Sequence, residues 1–256
     1  MKSLNHKQGH PVLKNYRADL HIHTCLSPCS DWEMSPRRIV ETCKRKHIDI
    51  IAICDHNSAE NTGAVIRAGE NKGISVLPGI EVCSREEVHI LTIFKELDQA
   101  NSMQDYVYSH LKGENNPELF GYQIVALETD EVVSESPKML IGATQLGIHT
   151  IIDKAHALDG LCIASHIDRR TYGIIGQLGF IPPDLPLDAV EISSQMTADE
   201  AKSNLQGIDK LPIIKSSDAH SPQDIGKSVT EFIMLAPTFE ELRLAIKGVD
   251  GRKVNA

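Results

Sequence analysis

The sequence predicts an α/β protein built around a parallel sheet. Short apolar runs of four to eight residues, rich in isoleucine, valine and leucine, alternate with longer amphipathic segments. Such runs are typical of buried strands, and their alternation with helical segments is typical of parallel sheets. The chain has 256 residues and is 41% hydrophobic, which suits one large domain.

Eight apolar runs are predicted as strands: Ala18–Thr24, Asp49–Cys54, Ser75–Val82, Val88–Phe94, Gly160–Ser165, Ala189–Ser193, Pro212–Ser216 and Glu231–Leu235. That number fits either a closed barrel or an open doubly wound sheet. No G-x-G-x-x-G segment follows the first run, and the chain has no Walker lysine loop. An open, nucleotide-binding sheet therefore has less support than a barrel.

The segments between these runs carry signals for the start and end of helices. Ser35-Pro36 is typical of an N-cap followed by proline in the first turn, and Gly73 and Gly248 are typical of helix ends. The predicted helices are Arg37–Lys46, Asn57–Lys72, Pro137–Leu146, Ile148–Leu158 and Thr238–Lys247.

Residues 1–17 are predicted as a polar N-terminal extension, and residues 18–256 as a single barrel domain. The stretch around 99–135 is the least regular and contains the loop signal Gly113-Glu114-Asn115-Asn116-Pro117, so we expect a loop insertion there. No stretch approaches the roughly 18 apolar residues that span a bilayer, and the N-terminus has no apolar signal region. We therefore expect a cytoplasmic protein without membrane contact, whose six cysteines stay reduced.

The net charge bears on the class of partner. The formal charge is −9 and the isoelectric point is about 5.7. A protein that binds duplex DNA by neutralising its phosphates is normally basic. The charge therefore disfavours nucleic acid as a partner.

The chain contains 12 histidines but only one tryptophan, and half of these histidines fall at the ends of predicted strands together with acidic residues. In a parallel barrel the carboxyl ends of the strands meet at one mouth, where the active site is built. We therefore expect one polar cluster at the mouth, formed by His21, His23, His56, Glu81, His89, His166, Asp218 and His220.

The spacing of these residues points to metal binding. His21 and His23 are two apart on one strand, so both side chains point to the same side, and Asp218 and His220 repeat this spacing. Imidazole and carboxylate ligands together suit Zn, Mn or Fe. From these residues alone we predict a single polynuclear metal cluster.

The motif series ADLHIHT, CDHN, GIEV, VHIL, ASHID and SSDAH, in this order, resembles the polymerase and histidinol phosphatase (PHP) superfamily from Ala18 to about Lys247. The resemblance implies a distorted (β/α)7 TIM-like barrel. It also implies a metal-dependent phosphoesterase with two or three divalent metal ions at the mouth of the strands.

The resemblance further implies how the ligands are shared. His21, His23, Glu81 and Asp218 are expected to hold one ion, Glu81, His89 and His166 a second, and Asp31, His56 and His220 a third. Asp31 is assigned because Ser30-Asp31 aligns best with the acidic ligand that follows the first motif in the family. Cys29 is the competing ligand, and a thiolate there would favour zinc.

The expected reaction is hydrolysis of a small phosphomonoester by in-line attack of a metal-bridging hydroxide. Arg85 and Arg169 are expected to bind the phosphate, and Asp55 to orient a ligand imidazole or to serve as a structural turn carboxylate. The alternatives are a phosphodiesterase or nuclease acting on nucleic-acid ends, and a non-catalytic metal-binding module. An amidohydrolase-type enzyme has less support, because the predicted strands between Glu81 and His166 carry no lysine. Neither the substrate nor the oligomeric state is predicted.

Overall fold

The elements of the fold come from a computed structural model, which describes residues 12–255. The strands are β1 (Lys14–Ile22), β2 (Ile50–Ile53), β3 (Ser75–Cys83), β4 (His89–Ile93), β5 (Ile124–Ala126), β6 (Val132–Glu135), β7 (Leu161–Ala164), β8 (Ala189–Ile192), β9 (Ile213–Lys215), β10 (Thr230–Met234) and β11 (Lys253–Asn255). The helices are α1 (Pro36–Arg45), α2 (Thr62–Gly69), α3 (Leu97–Tyr108), α4 (Pro117–Phe120), α5 (Ile148–Ala157), α6 (Ile174–Leu178), α7 (Ala198–Asn204) and α8 (Phe239–Ile246), followed by a 3-10 turn at Val249–Gly251.

Nine strands form one sheet in the order β11-β10-β1-β2-β3-β4-β7-β8-β9. Strands β1, β2 and β3 are parallel, as are β7, β8 and β9, whereas β4 runs antiparallel to both of its neighbours. The segment after β9 returns to β1, where the His23 N–H donates to the Ala219 carbonyl at 3.0 Å. The sheet is therefore a nearly closed barrel, as the sequence predicts.

All eight predicted strands are present. The reversed direction of β4 explains why its histidine stands at the start of the run: the amino end of β4 lies at the same mouth as the carboxyl ends of its neighbours. The sequence pattern does not predict the β5–β6 hairpin or the short edge strand β11.

The predicted helix at Pro137–Leu146 is wrong, because this segment is a loop. Its backbone groups are bonded by side chains from elsewhere: the Asn57 amide donates to the carbonyls of Leu140 and Gly142, both at 2.8 Å, and the Gln123 amide oxygen accepts from Leu140 N–H at 3.1 Å. The predicted helix Asn57–Lys72 is also shorter, since Asn57 has a φ of 53° and cannot be helical.

The irregular stretch around 99–135 contains most of α3, together with α4 and the β5–β6 hairpin. The hairpin is bonded to the barrel mouth, since the Ile124 N–H donates to the Cys25 carbonyl and the Ala126 N–H donates to the Asn61 side chain, both at 2.9 Å. That this stretch is an insertion, and that 18–256 forms one domain, stay predictions.

Side chains from eight strands fill the interior of the barrel, among them Leu20, Leu91, Ile163 and Phe232. A bulge in β1 changes the face that its residues present: between Asp19 and Ile22, three steps along β1 match two along β2. Leu20 therefore lies in the apolar interior, whereas Ile22 packs in the outer layer beside helix α1. His21 and His23 consequently face the mouth. No helix among residues 12–255 is long and apolar enough to cross a membrane.

Candidate metal centre

The Glu81 carboxylate, at the carboxyl end of β3, is the centre of the polar cluster and is almost fully buried. Five imidazoles approach its two oxygens. The nitrogen–oxygen distances are 3.3 Å for His21, 3.4 Å for His23, 3.0 Å for His56, 2.9 Å for His89 and 3.2 Å for His166. The structure thus brings these strand-end residues together around one carboxylate.

Asp218 and His220 complete the cluster from the loop after β9. Oδ1 of Asp218 lies 3.3 Å from Nε2 of His21 and 3.2 Å from Nε2 of His23. The His220 ring stacks on that of His23 with centroids 4.2 Å apart, and its Nδ1–H donates to the Asp218 carbonyl at 2.8 Å. Barrel closure thus brings together candidate ligands from distant parts of the sequence.

Hydrogen bonds on the far side of the rings orient the His21 and His23 imidazoles. Nδ1 of His21 lies 3.0 Å from Oε1 of Glu191, and Nδ1 of His23 lies 2.9 Å from the Ser27 hydroxyl. The Ser27 hydroxyl in turn donates to Asp55 at 2.7 Å. When these rings are neutral and their Nδ1 atoms donate, both Nε2 atoms direct a lone pair toward the centre, where they lie 3.1 Å apart.

The residues of the cluster fit divalent metal ions. The buried Nδ1 atoms of His89 and His166 find no hydrogen-bond partner among residues 12–255, although Nδ1 of His89 lies only 2.9 Å from Glu81. Lone pairs that converge without a hydrogen bond are typical of ligands sharing an ion. The cluster contains three groups of residues whose potential ligand atoms lie within 4.8 Å of one another inside each group. These groups are His21–His23–Glu81, His56–Glu81–His89 and His23–His56–His220.

Charges in the cluster are strongly coupled. Burial lowers the pKa of His23, but hydrogen bonds to Asp218 and Glu81 outweigh this effect and raise the pKa to about 9. Burial also opposes a charge on Glu81, yet the surrounding imidazoles hold its pKa well below the usual range. His89, where burial dominates, has its pKa lowered to about 4. The carboxylates therefore require positive charge at the mouth, which protons supply when cations do not.

Several residues at the mouth hold a left-handed backbone conformation. The φ angles are 53° at Asn57, 28° at His166, 61° at Tyr172 and 50° at Asp218. Conformations of this kind cost free energy in residues other than glycine, and they concentrate at functional sites. Here they turn His166 and Asp218 into the cluster.

Asp31 lies outside the cluster that it is expected to join. Its side chain is exposed and accepts a hydrogen bond from the Glu33 N–H at 3.2 Å, while its own N–H donates to the His220 carbonyl at 2.7 Å. Cys29 instead lines the pocket together with His56. The loop therefore turns the thiol, and not the carboxylate, toward the other ligands.

The two arginines expected at the phosphate differ in position. Arg169 lines the pocket, and its guanidinium donates to Oδ2 of Asp218. The Arg85 side chain is 69% exposed and pairs with Glu86, so the structure does not bring it to the pocket. Asp55 does not hydrogen-bond directly to an imidazole of the cluster. It accepts hydrogen bonds from the N–H and hydroxyl of Thr24 and from the Ser27 hydroxyl, and Ser27 in turn contacts His23.

Sequence reasoning missed three residues at the centre. Glu191 supports His21, Ser27 supports His23, and Tyr172 stacks on the His89 ring with centroids 4.3 Å apart. Glu191 carried a detectable signal, because it is the only charged residue within the apolar run Ala189–Ser193. Ser27 and Tyr172 lie in loops, where the pattern gave no comparable signal.

The cluster lies at the base of a pocket of about 210 Å³. Eleven residues line it: Cys29, His56, Glu81, His89, Ile141, His166, Arg169, Thr171, Tyr172, Asp218 and His220. A typical pocket for a complete small ligand is larger, at roughly 300–1,000 Å³. This pocket therefore accommodates one small charged group of a ligand, such as a phosphoryl group.

Solved structures with a similar fold include Endonuclease Q from Pyrococcus furiosus, with a TM-score of 0.69 and 23% identity over 94% of this chain and 58% of that one. A presumed metal-dependent phosphoesterase from Bifidobacterium adolescentis matches 90% of this chain and 96% of its own, with a TM-score of 0.57 and 17% identity. At these identities the similarity shows the fold, a TIM-like barrel.

Sequence comparison gives a partial match to a curated relative. The uncharacterized protein YqxK of Bacillus subtilis (strain 168) is 32% identical over 108 residues, which is 40% of this chain but 28% of that protein. The chain thus spans well under two thirds of this relative and of Endonuclease Q.

Family models match the chain in two places. The PHP domain model matches residues 19–177, which carry His21 to His166, and a PHP-associated model matches residues 209–248, which carry Asp218 and His220. The two models therefore cover both parts of the cluster, and the chain belongs to the PHP domain family.

Proposed function

We propose that this chain is a metal-dependent hydrolase of phosphate esters. The observation that carries the proposal is the Glu81 carboxylate, approached by five imidazoles and flanked by Asp218 at the base of a small pocket. When bound, divalent ions supply Lewis-acid activation of the phosphate and of the attacking water. The mixed nitrogen and oxygen ligands favour two or three ions of Zn, Mn or Fe.

The proposed ligands are His21, His23, His56, Glu81, His89, His166, Asp218 and His220, with Cys29 in place of Asp31. One group of ligand atoms, His23–His56–His220, contains no carboxylate, unlike the two groups that include Glu81. Cys29 lies beside this group and can supply the missing negative charge as a thiolate. A sulfur ligand there favours zinc at that position.

Arg169 is the proposed phosphate-binding residue. One of its N–H groups is used by Asp218, and a guanidinium has five N–H donors, so others remain for phosphate oxygens. Glu191 orients the His21 ring directly, and Asp55 orients the His23 ring through the Ser27 hydroxyl. Arg85 is not proposed as a substrate-binding residue, because its side chain points to solvent.

A phosphomonoester is the leading substrate class, and a DNA phosphodiester is the second. The second is favoured by the similarity to Endonuclease Q, which has been solved in complex with a duplex substrate carrying an abasic lesion. This neighbour conflicts with the expectation that nucleic acid is disfavoured as a partner. The net charge of −9 still argues against binding driven by phosphate neutralisation alone. The cytoplasmic location stays a prediction.

The test is hydrolysis by purified, metal-analysed protein of an aryl phosphate monoester, a bis-aryl phosphodiester and an abasic DNA duplex. We expect at least two transition-metal ions per chain and turnover of the monoester. Glu81→Gln should abolish turnover and reduce metal content, whereas Glu70→Gln, at an exposed site on the outer surface, should change neither. A wild-type protein that binds no metal and cleaves none of the three would refute the proposal.

Cys29 has its own test, which does not depend on turnover. It is the exposed one among the six cysteines, and burial raises the pKa of Cys25 and Cys83 to about 12. A thiol reagent should therefore label one cysteine in the metal-free native protein, and zinc should protect it. Cys29→Ser should lose the labelling and the sulfur-to-metal absorption band of the cobalt-substituted protein. Retention of that band in Cys29→Ser would exclude the thiolate as a ligand.

A further inference from the structure

Exposed aromatic side chains are concentrated around the metal pocket. Among residues 12–255, five aromatic side chains are exposed, and one of them, Phe180, lies just after helix α6. The other four form what we call the aromatic rim: Trp32, Phe120, Tyr122 and Tyr172. The indole of Trp32 is 77% exposed, a large apolar surface left in water. Clustered exposed apolar surface of this kind marks a binding site more often than scattered single residues do.

Trp32 lies close to the metal pocket along the chain and in space. It follows three residues after Cys29, which lines the pocket, so the two Cα atoms are at most about 11 Å apart. Its neighbour Asp31 is bonded through the backbone to His220 at 2.7 Å. Trp32 also lines a groove of about 320 Å³ with Ile124 and Val132 of the β5–β6 hairpin.

The other members of the rim lie beside the segment that carries Cys29 or line the pocket itself. Phe120 and Tyr122 flank Gly121, whose backbone packs against the Pro28 carbonyl so closely that any side chain would clash. Pro28 directly precedes Cys29, so this contact holds both rings beside the pocket. Tyr172 lines the pocket itself and stacks on His89.

The chemistry of the rim selects a planar, uncharged group. The charged side chains of the groove are already paired with neighbours, as Arg38 is with Glu33 at 2.9 Å, so they leave no free cation for a second phosphate. Aromatic faces bind nucleobases by stacking, which tolerates any base and needs no basic surface. The pocket of about 210 Å³ holds a phosphoryl group and leaves the remainder of the substrate over the rim.

We propose that the aromatic rim stacks the nucleobase next to the phosphate that is cleaved, so that the substrate is a nucleotide, either free or at the end of a strand. The inference rests on the proposed function for the position of the phosphate. The stacking itself is a binding property that can be measured without turnover.

Trp32 is the only tryptophan in the chain, so its fluorescence reports on the rim directly. Zinc-loaded protein is titrated with thymidine 5′-monophosphate, ribose 5-phosphate and a short single-stranded oligonucleotide with a terminal phosphate. We expect the two ligands that carry a base to quench Trp32, and ribose 5-phosphate to leave it unchanged. Tighter binding of the oligonucleotide would identify a strand end as the source of the base, and tighter binding of the mononucleotide would identify a free nucleotide.

Variants separate stacking from general disruption. Phe120→Ala should raise the Kd of the base-containing ligands roughly tenfold, whereas Phe180→Ala, an exposed aromatic outside the rim, should leave it unchanged. Trp32→Ala should lower kcat/KM for thymidine 5′-monophosphate by a similar factor and leave kcat/KM for glycerol phosphate unchanged. Equal quenching by ribose 5-phosphate, or no quenching by either base-containing ligand, would overturn the inference. If the wild type cleaves no phosphate ester, the proposed function fails, and the fluorescence titration still decides the question of stacking.

Discussion

His21 at the end of β1 and His23 just beyond it each have a partner on the side of the ring away from the centre. Glu191 holds the ring of His21, and the Ser27 hydroxyl, itself bonded to Asp55, holds the ring of His23. These contacts fix which nitrogen faces the centre before any ion arrives. Removal of such a partner typically costs 10- to 100-fold in metal affinity.

Glu191→Gln is expected to weaken metal binding by roughly 10- to 100-fold, because an amide is a weaker acceptor for the His21 Nδ1–H and carries no charge. Competition with a chelator measures the change. Glu41→Gln, on the exposed face of α1, is the matched control and should bind metal like the wild type. Wild-type affinity in Glu191→Gln would mean that Glu191 has only a structural role.

The histidine pKa values predict how the metal-free protein responds to pH. The pKa values of His23 and His56 are raised from 6.5 to about 9 in the folded state, in spite of burial, through contacts that include Glu81. Protonation of these two rings therefore stabilises the fold fully below pH 6.5, and this stabilisation is lost as the pH rises through about 9.

We accordingly expect the Tm of metal-free protein to fall between pH 6.5 and 9, and saturating zinc to remove most of that fall. Thermal unfolding at several pH values, with and without zinc, measures both effects. An equal fall with and without zinc would contradict the assignment of these rings to the metal centre.

At the scale of elements, the loop 137–147 covers the mouth and depends on side chains from other segments. Asn57 is central to it: its amide donates to Leu140 and Gly142, and its oxygen accepts from the Cys83 N–H at 3.0 Å. Asn57 also has a φ of 53°, a conformation that asparagine tolerates better than most residues.

Asn57→Ala is expected to lower the free energy of unfolding by about 3 kcal/mol, because it leaves buried backbone groups without partners and strains the left-handed backbone. Asn57→Gly removes the same hydrogen bonds, but glycine adopts the left-handed conformation without strain. The loss in the free energy of unfolding should therefore be smaller than in Asn57→Ala. Chemical denaturation of both variants measures the difference. The reverse order would show that the backbone conformation is not a source of strain.

At the scale of the whole molecule, closure of the barrel brings Asp218 to His21 and His23 from the far end of the sequence. The seam between β9 and β10 is held by the buried Thr230 hydroxyl, which accepts from the Lys215 N–H at 2.7 Å and donates to the Lys215 carbonyl at 2.8 Å. In this part of the barrel, one side-chain hydroxyl thus takes the place of backbone hydrogen bonds between β9 and β10.

Thr230→Val keeps the shape of the side chain and removes both hydrogen bonds, so we expect a loss of about 2 kcal/mol in the free energy of unfolding and weaker metal binding. Thr230→Ser, which keeps the hydroxyl, should bind metal like the wild type. Denaturation and chelator competition measure the two effects. Unchanged metal affinity in Thr230→Val would show that the position of Asp218 does not depend on this seam.

The sequence predicted the strands because their apolar residues form short runs. It predicted the approximate positions of the candidate ligands because these residues fall at the ends of those runs. It did not predict α3, whose apolar side chains Ala100, Met103 and Val107 are sparse among polar residues. It assigned Asp31 and kept Cys29 as the competing ligand, because which of two residues in one loop faces the site depends only on how the loop turns. That turn is set by the bond from Asp31 N–H to the His220 carbonyl, almost 190 residues away along the chain.

The bulge in β1 has a consequence for how the chain tolerates changes in length. Because one extra residue lies between Asp19 and Ile22, Leu20 and His21 both face the inside of the barrel, and deletion of Leu20 would restore a regular pleat with His21 and His23 still at the mouth. The strand can therefore lose one residue at the bulge without turning the histidines of the first motif away from the site, and the change removes only the apolar side chain of Leu20 from the interior.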